Sequence, residues 1–213
     1  MAGKAGVVAQ ALLLEPDRDW RVIDLAARAK VSLGSAHAVL ARLEELGIME
    51  AGGEQRAESR RVSNRTALLD TWAEENRDLG VRQVGAYVLP TREGDIALTI
   101  GRVLRQEKVV YALSGVAAAA MLAPLLTAVP VTTFWIDEAH PLEDVVVMLR
   151  AEVVESGANV LLRQAKNSTA LAFSEERDNL HLANVFRIYY DARRDPRRGR
   201  EQAEHFREEV IGW

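Results

Sequence analysis

The chain has 213 residues, 48% of them hydrophobic and 27% charged, which is enough apolar content to order a backbone and enough length for two domains. It contains no cysteine, which excludes disulfides, Cys-ligated zinc, iron–sulfur clusters and thiol catalysis. The formal net charge of −4 hides an asymmetry: residues 1–65 hold ten Lys/Arg against nine Asp/Glu, and the rest hold 17 against 22.

In chain order, residues 5–15 read as a helix ending before Pro16, and Trp20–Ile23 reads either as a short strand or as the approach to the next helix. Residues 24–30 place Ile23, Leu25, Ala26 and Ala29 at helical spacing. Ser32 is placed to cap a helix over Leu33–Leu46 that buries Ala36, Val39, Leu40 and Leu43 and stops at Gly47 in a left-handed conformation. Ile48–Glu50 and Gln55–Val62 then read as a hairpin around Gly52-Gly53. Helix, helix, short turn, helix, hairpin resembles the winged helix-turn-helix of many bacterial transcription regulators, and the segment Ile23–Glu50 carries that resemblance.

In such a module the second helix of the pair enters the major groove of duplex DNA by its N-terminal end. The residues expected there are Ser32, Ser35 and His37, with Arg42 further along the helix, and Arg56, Arg60, Arg61 and Arg65 on the wing for phosphate contact. Each has a plainer alternative: Ser32 as a helix cap, His37 as a solvated imidazole, the wing arginines as a solvated strand face. Winged helices also serve as protein-interaction modules, and Ala38 stands where DNA-binding relatives often carry a polar or basic residue.

Residues 66–78 read as a connecting helix with Leu68, Leu69 and Trp72 on one face. Strand and helix signals then alternate: strands over 84–88, 109–113, 129–136, 159–162 and 171–173, helices over 93–106, 115–126, 141–151, 181–193 and 198–211. The expected fold class is therefore α+β, with a winged helix-turn-helix at 1–65, a connecting helix at 66–80 and an α/β domain at 81–213. The longest apolar run, Val116–Val129, is broken by Pro124 and falls short of the roughly 20 residues of a membrane span. The N-terminal residues lack the apolar core of a secretion signal, so a soluble, cytoplasmic chain without a membrane partner is expected.

Tyr111-Ala-Leu-Ser-Gly-Val-Ala-Ala-Ala-Ala-Met-Leu-Ala-Pro124, Ala158-Asn-Val-Leu-Leu162 and the ending Arg187-Ile-Tyr-Tyr-Asp through Ile211 resemble, in the same order, segments of the AbiEi-like antitoxins of type IV toxin–antitoxin systems. Relatives enter the penultimate helix through a Ser-Pro pair, where this chain has His181-Leu-Ala-Asn184. The resemblance implies an autorepressor, binding repeats in its own promoter as a homodimer and opposing a cognate toxin without a tight complex. The sequence has no Gly-x-x-x-x-Gly-Lys-Ser/Thr phosphate loop, Gly-x-Gly-x-x-Gly, Gly-x-Ser-x-Gly or His-Glu-x-x-His motif, so no enzyme activity and no cofactor are expected.

The layout around Ser114-Gly115 and Asp137-Glu138 also echoes a nucleotidyltransferase, whose strand carries two carboxylates, one residue apart, that hold Mg²⁺ on a triphosphate. Alternation puts Trp135 where the partner of Asp137 should be, so the expectation is a degenerate nucleotidyltransferase-like scaffold. A nucleotide-binding enzyme stays open as the alternative, as does a non-specific architectural or protein-interaction role. The arginines at 187, 193, 194, 197, 198 and 200 read either as a phosphate contact or as a charged turn around Pro196 and Gly199.

Overall fold

A computed structural model describes residues 1–52, 59–76, 81–89, 95–126, 129, 131–164 and 166–213. The chain is mixed α+β and divides into two compact units, Met1–Leu79 and Gly80–Trp213.

The first unit contains α1 (Lys4–Leu14), α2 (Val22–Ala29), α3 (Leu33–Glu45), β1 (Met49–Ala51), β2 (Arg60–Val62) and α4 (Arg65–Glu75). Trp20 bridges Arg60 in antiparallel fashion, with Trp20 N–H to Arg60 O at 2.7 Å and Arg60 N–H to Trp20 O at 2.9 Å. The strand alternative for the Trp20 segment is thus realised at one residue. Lys30 ends α2 in a left-handed conformation, φ 52°, so a turn of only three residues separates α2 from α3. Gly47 ends the α3 region at φ 67°, and the Ile48 N–H closes on Leu43 O. Trp20, Leu25, Leu40, Leu43, Leu68 and Trp72 fill the core between these elements. Asn64 caps α4 through Ala67 N–H, and α4 packs against α1 inside this unit.

The second unit contains, among the described residues, one sheet of seven strands in the order β6-β3-β7-β5-β4-β9-β8. In chain order its elements are β3 (Arg82–Tyr87), α5 (Ile96–Gln106), β4 (Tyr111–Ser114), α6 (Gly115–Leu122), β5 (Thr132–Ile136), α7 (Leu142–Met148), β6 (Glu152–Val153), β7 (Val160–Gln164), β8 (Glu175–Arg177), β9 (Leu180–Leu182), α8 (Val185–Arg193) and α9 (Gly199–Phe206). β5 runs parallel to β7 and β4 parallel to β9, and the other neighbours are antiparallel. Every residue of β4 is buried, which requires cover on both faces. Alternation sends Tyr111 toward α5, where its hydroxyl donates to Gly101 O, and Ser114 toward α8, where its hydroxyl meets Asp191.

Three expectations are corrected. The stretch 171–173 forms no strand: a 3₁₀ turn over Lys166–Leu171 runs into a turn with Phe173 at φ 58°. The helix expected from His181 starts at Val185, because Leu180–Leu182 is β9; Asn184 caps α8 by accepting from Arg187 N–H at 3.0 Å, the job a Ser-Pro entry would do with its serine. The last helix stops at Phe206 and the chain continues as a π turn over Arg207–Ile211.

The polar centre of this unit is the buried carboxylate of Asp191. Ser114 Oγ and Trp135 Nε1 each donate to its Oδ2 at 2.7 Å, Arg187 Nε at 3.0 Å, and Arg163 reaches Oδ1 at 3.4 Å. Both guanidinium groups also lie over the Trp135 ring, at 4.5 Å for Arg163 and 4.2 Å for Arg187. Burial alone would raise the Asp191 pKa; the two arginines, then the Ser114 and Trp135 hydrogen bonds, outweigh it and hold the group below its ordinary 3.8. Asp191→Asn leaves Arg187 buried beside a neutral amide and should cost the second unit about 3–5 kcal/mol, read by urea unfolding. A depressed folded-state pKa stabilises fully above the unfolded value and less as pH falls through the folded one. The variant should therefore lose part of the wild-type acid limb below about pH 4.

Candidate nucleic-acid interface

Helix α3 is positioned by its own periodicity. Ala36, Val39, Leu40 and Leu43 face the core, which turns Leu33, Gly34, His37 and Ala38 outward on the first two turns. Leu33 is 55% exposed, and a Cβ built on Gly34 would meet nothing within 4 Å. An open groove of about 750 Å³ runs beside this face, lined by Ile23, Leu33, His37, Glu44, Ser59 and Arg60 among others. Ile23, at the start of α2, is 59% exposed in it.

The structure distributes the predicted site residues unevenly. Ser32 acts as the α3 cap, accepting from Ser35 N–H at 3.2 Å, and its hydroxyl shares a hydrogen bond with Ser35 Oγ at 2.8 Å. The two serines therefore spend hydrogen-bonding capacity on each other, while His37 stays on the exposed face. Arg42 lies off this face and donates to Glu75 at 2.6 Å. Arg60 pairs with Glu44 at 2.7 Å, Arg61 with Asp19 at 2.9 Å, and Arg65 with Asp17. Arg56 lies outside the described residues.

These pairs are exposed or half-exposed, so solvent screening leaves each of them weak. Their electrostatic signature is nevertheless visible. Burial would raise Glu75, but the hydrogen bonds from Arg42 and the Met1 ammonium hold it below its ordinary 4.5, and the hydrogen bond to Asp19 raises Arg61. The carboxylates involved were not legible as partners, since Asp19 and Arg61 lie 42 residues apart and Asp17 and Arg65 lie 48 apart. The groove residue Ile23 was also missed as a surface feature. It is apolar at a helix start, and the sequence counts it with the buried cluster.

In the second unit, Trp135 shares a sheet face with Ser114, and the carboxylate on that face is Asp191 from α8. Asp137 lies just past β5, where its Oδ1 accepts from Ala139 N–H at 2.9 Å. Among the described residues no group of three His, Asp or Glu side chains is placed to hold a metal ion, and no helix is long and apolar enough to cross a membrane. No protein-family model, curated protein or solved structure matches the chain.

Ser32→Ala should destabilise the first unit by about 1 kcal/mol, whereas Ser32→Asn, which keeps a capping oxygen, should recover most of that loss. Chemical denaturation followed by helix signal distinguishes the two.

Proposed function

We propose that residues 1–79 form a winged helix-turn-helix that binds duplex DNA with sequence preference through the first turns of α3. The observation that carries this reading is the combination of a three-residue α2–α3 turn with an outward helix start at Leu33, Gly34, His37 and Ala38, in which Gly34 and Ala38 are small. The order helix, Trp20 bridge, helix, helix, hairpin supports it, because the bridge adds a third short strand beside β1 and β2. A helix start of this shape suits close approach to base edges, with His37 as the polar contact and Leu33 as an apolar one for a thymine methyl. Ser35 bonds Ser32 through one site of its hydroxyl and can offer another to a base.

Phosphate contact by Arg60, Arg61 and Arg65 competes with the carboxylate that each already pairs with. Exposed pairs of this kind are weak enough for a phosphate to compete. The finer reading, an antitoxin-type autorepressor working as a homodimer on a repeated site, rests on the resemblance of the Tyr111–Pro124, Ala158–Leu162 and Arg187–Ile211 segments. A two-fold operator asks for two copies of α3. The reading gives the second unit no catalytic step, since Trp135 occupies the position where a nucleotidyltransferase strand would hold its second carboxylate.

A second reading is favoured by one observation: Ile23 and Leu33 expose apolar surface next to Glu44, which suits a protein segment as well as a groove of DNA.

The test is fluorescence anisotropy of the full chain on its own upstream DNA and on a scrambled duplex of equal length, across a salt series. A preference of about a thousandfold or more is expected. His37→Ala and Leu33→Ala should mainly erase that preference, while Arg60→Ala with Arg61→Ala should weaken binding to both duplexes alike. Equal affinity for the two duplexes overturns sequence-specific readout, and no binding to either moves the groove to the protein-partner reading.

A further inference from the structure

The seven described arginines of the first unit, at 18, 21, 28, 42, 60, 61 and 65, all pair with a carboxylate. The connector between α8 and α9 is different. Within it and on the helix ends that flank it, Arg198 pairs with Glu201 at 2.7 Å, but Arg193, Arg194, Arg197 and Arg200 have no carboxylate partner among the described residues. The one carboxylate inside the turn, Asp195, accepts from the Arg197 backbone N–H at 2.9 Å.

This cationic turn is also held in shape. The Asp195 N–H closes on Ala192 O at 3.0 Å, and Pro196 fixes the next backbone angle. Gly199 packs so closely that a Cβ there would overlap the Ala192 carbonyl oxygen and the Asp195 side chain. The Arg194 guanidinium lies 4.4 Å over the Tyr190 ring, and the buried Arg187 lies 5.0 Å from the same ring. Arg194, Arg197 and Arg200 are exposed and Arg193 is half-buried. A turn already ordered gives up little conformational entropy when it binds. Several cations spread over eight residues match a chain of phosphates better than one small anion.

We propose that the α8–α9 connector is a second, sequence-independent DNA contact, in which Arg193, Arg197 and Arg200, with Arg194 held over Tyr190, engage the phosphate backbone of a duplex. The choice of duplex DNA as the polyanion rests on the DNA-binding reading of the first unit. Sequence preference belongs to α3, and the connector supplies salt-dependent affinity on any sequence.

The experiment uses the full chain and a scrambled duplex, with the slope of log affinity against log salt as the readout. The triple variant Arg193→Gln, Arg197→Gln, Arg200→Gln is compared with the triple Arg→Lys variant at the same positions. The Gln triple should lower the slope by about 2–3, at roughly 0.9 for each phosphate no longer neutralised, and weaken the upstream and scrambled duplexes by the same factor. The Lys triple should keep the wild-type slope. If the Gln triple does not fold, the single variants Arg197→Gln and Arg200→Gln carry the test, each removing about 0.9. A wild-type slope in the Gln variants, a Lys triple as weak as the Gln triple, or a wild-type chain that binds no duplex overturns the proposal. Loss of operator preference with a connector-dependent slope overturns the reading of α3 and leaves this one standing.

Discussion

The second unit is organised around one buried negative charge. Asp191 sits on α8, yet its hydrogen-bond partners come from β4, β5, β7 and its own helix. A carboxylate taken out of water is tolerable only when charge and hydrogen bonds replace its hydration, and here four donors do so. The bonds are directional, so they fix the rotation of α8 over the sheet as well as its distance. Apolar packing by Ile188 and Tyr189 alone would leave that rotation less defined. The position of Ala192, and with it the Asp195 and Gly199 contacts that shape the next turn, follows from this anchor.

Both units pair surface arginines with carboxylates, in the second Arg82 with Glu143 and Arg105 with Glu176, but they differ in what else arginine does. In the first, guanidinium groups tie together segments distant in sequence, such as α3 to α4 through Arg42 and Glu75, or β2 to the α1–α2 loop through Arg61 and Asp19. Charge there is spent inside the unit at modest benefit. In the second, Arg163 and Arg187 are engaged by Asp191 and Trp135, while the connector keeps cations without acidic partners among the described residues. Counting basic residues along the chain gives two clusters, the wing and residues 187–200; following their partners separates them, because the described wing arginines pair with carboxylates and several of the second cluster do not.

Much of the first unit was legible because its signals are local. Helix α3 was readable from the spacing of Ala36, Val39, Leu40 and Leu43, its start from Ser32 and its end from Gly47. The mixed α+β class and most strands of the second unit were equally visible in the alternation of patterns. What failed was non-local. Leu180-His181-Leu182 fits a helix start or a strand equally well, and only its pairing, antiparallel with β8 and parallel with Leu113 on β4, decides for β9. Ser32 and Ser35 carry the right atoms for base contact, but the sequence does not say that their hydroxyls bond each other. The Asp191 centre was hidden for the same reason: its donors Ser114, Trp135 and Arg163 lie 77, 56 and 28 residues away.

The outermost strands of the seven-stranded sheet have a separate consequence. β6 has two residues and β8 has three, Glu175-Glu176-Arg177, all exposed and all charged in β8. The longer, apolar strands β5 and β7 lie inside, where both of their backbone edges are paired. A neighbouring molecule therefore meets only a short border of open N–H and C=O groups, and on the β8 side one crowded with charge. The strands with the strongest tendency to recruit another chain are shielded by the weakest, which limits growth of the sheet by self-association.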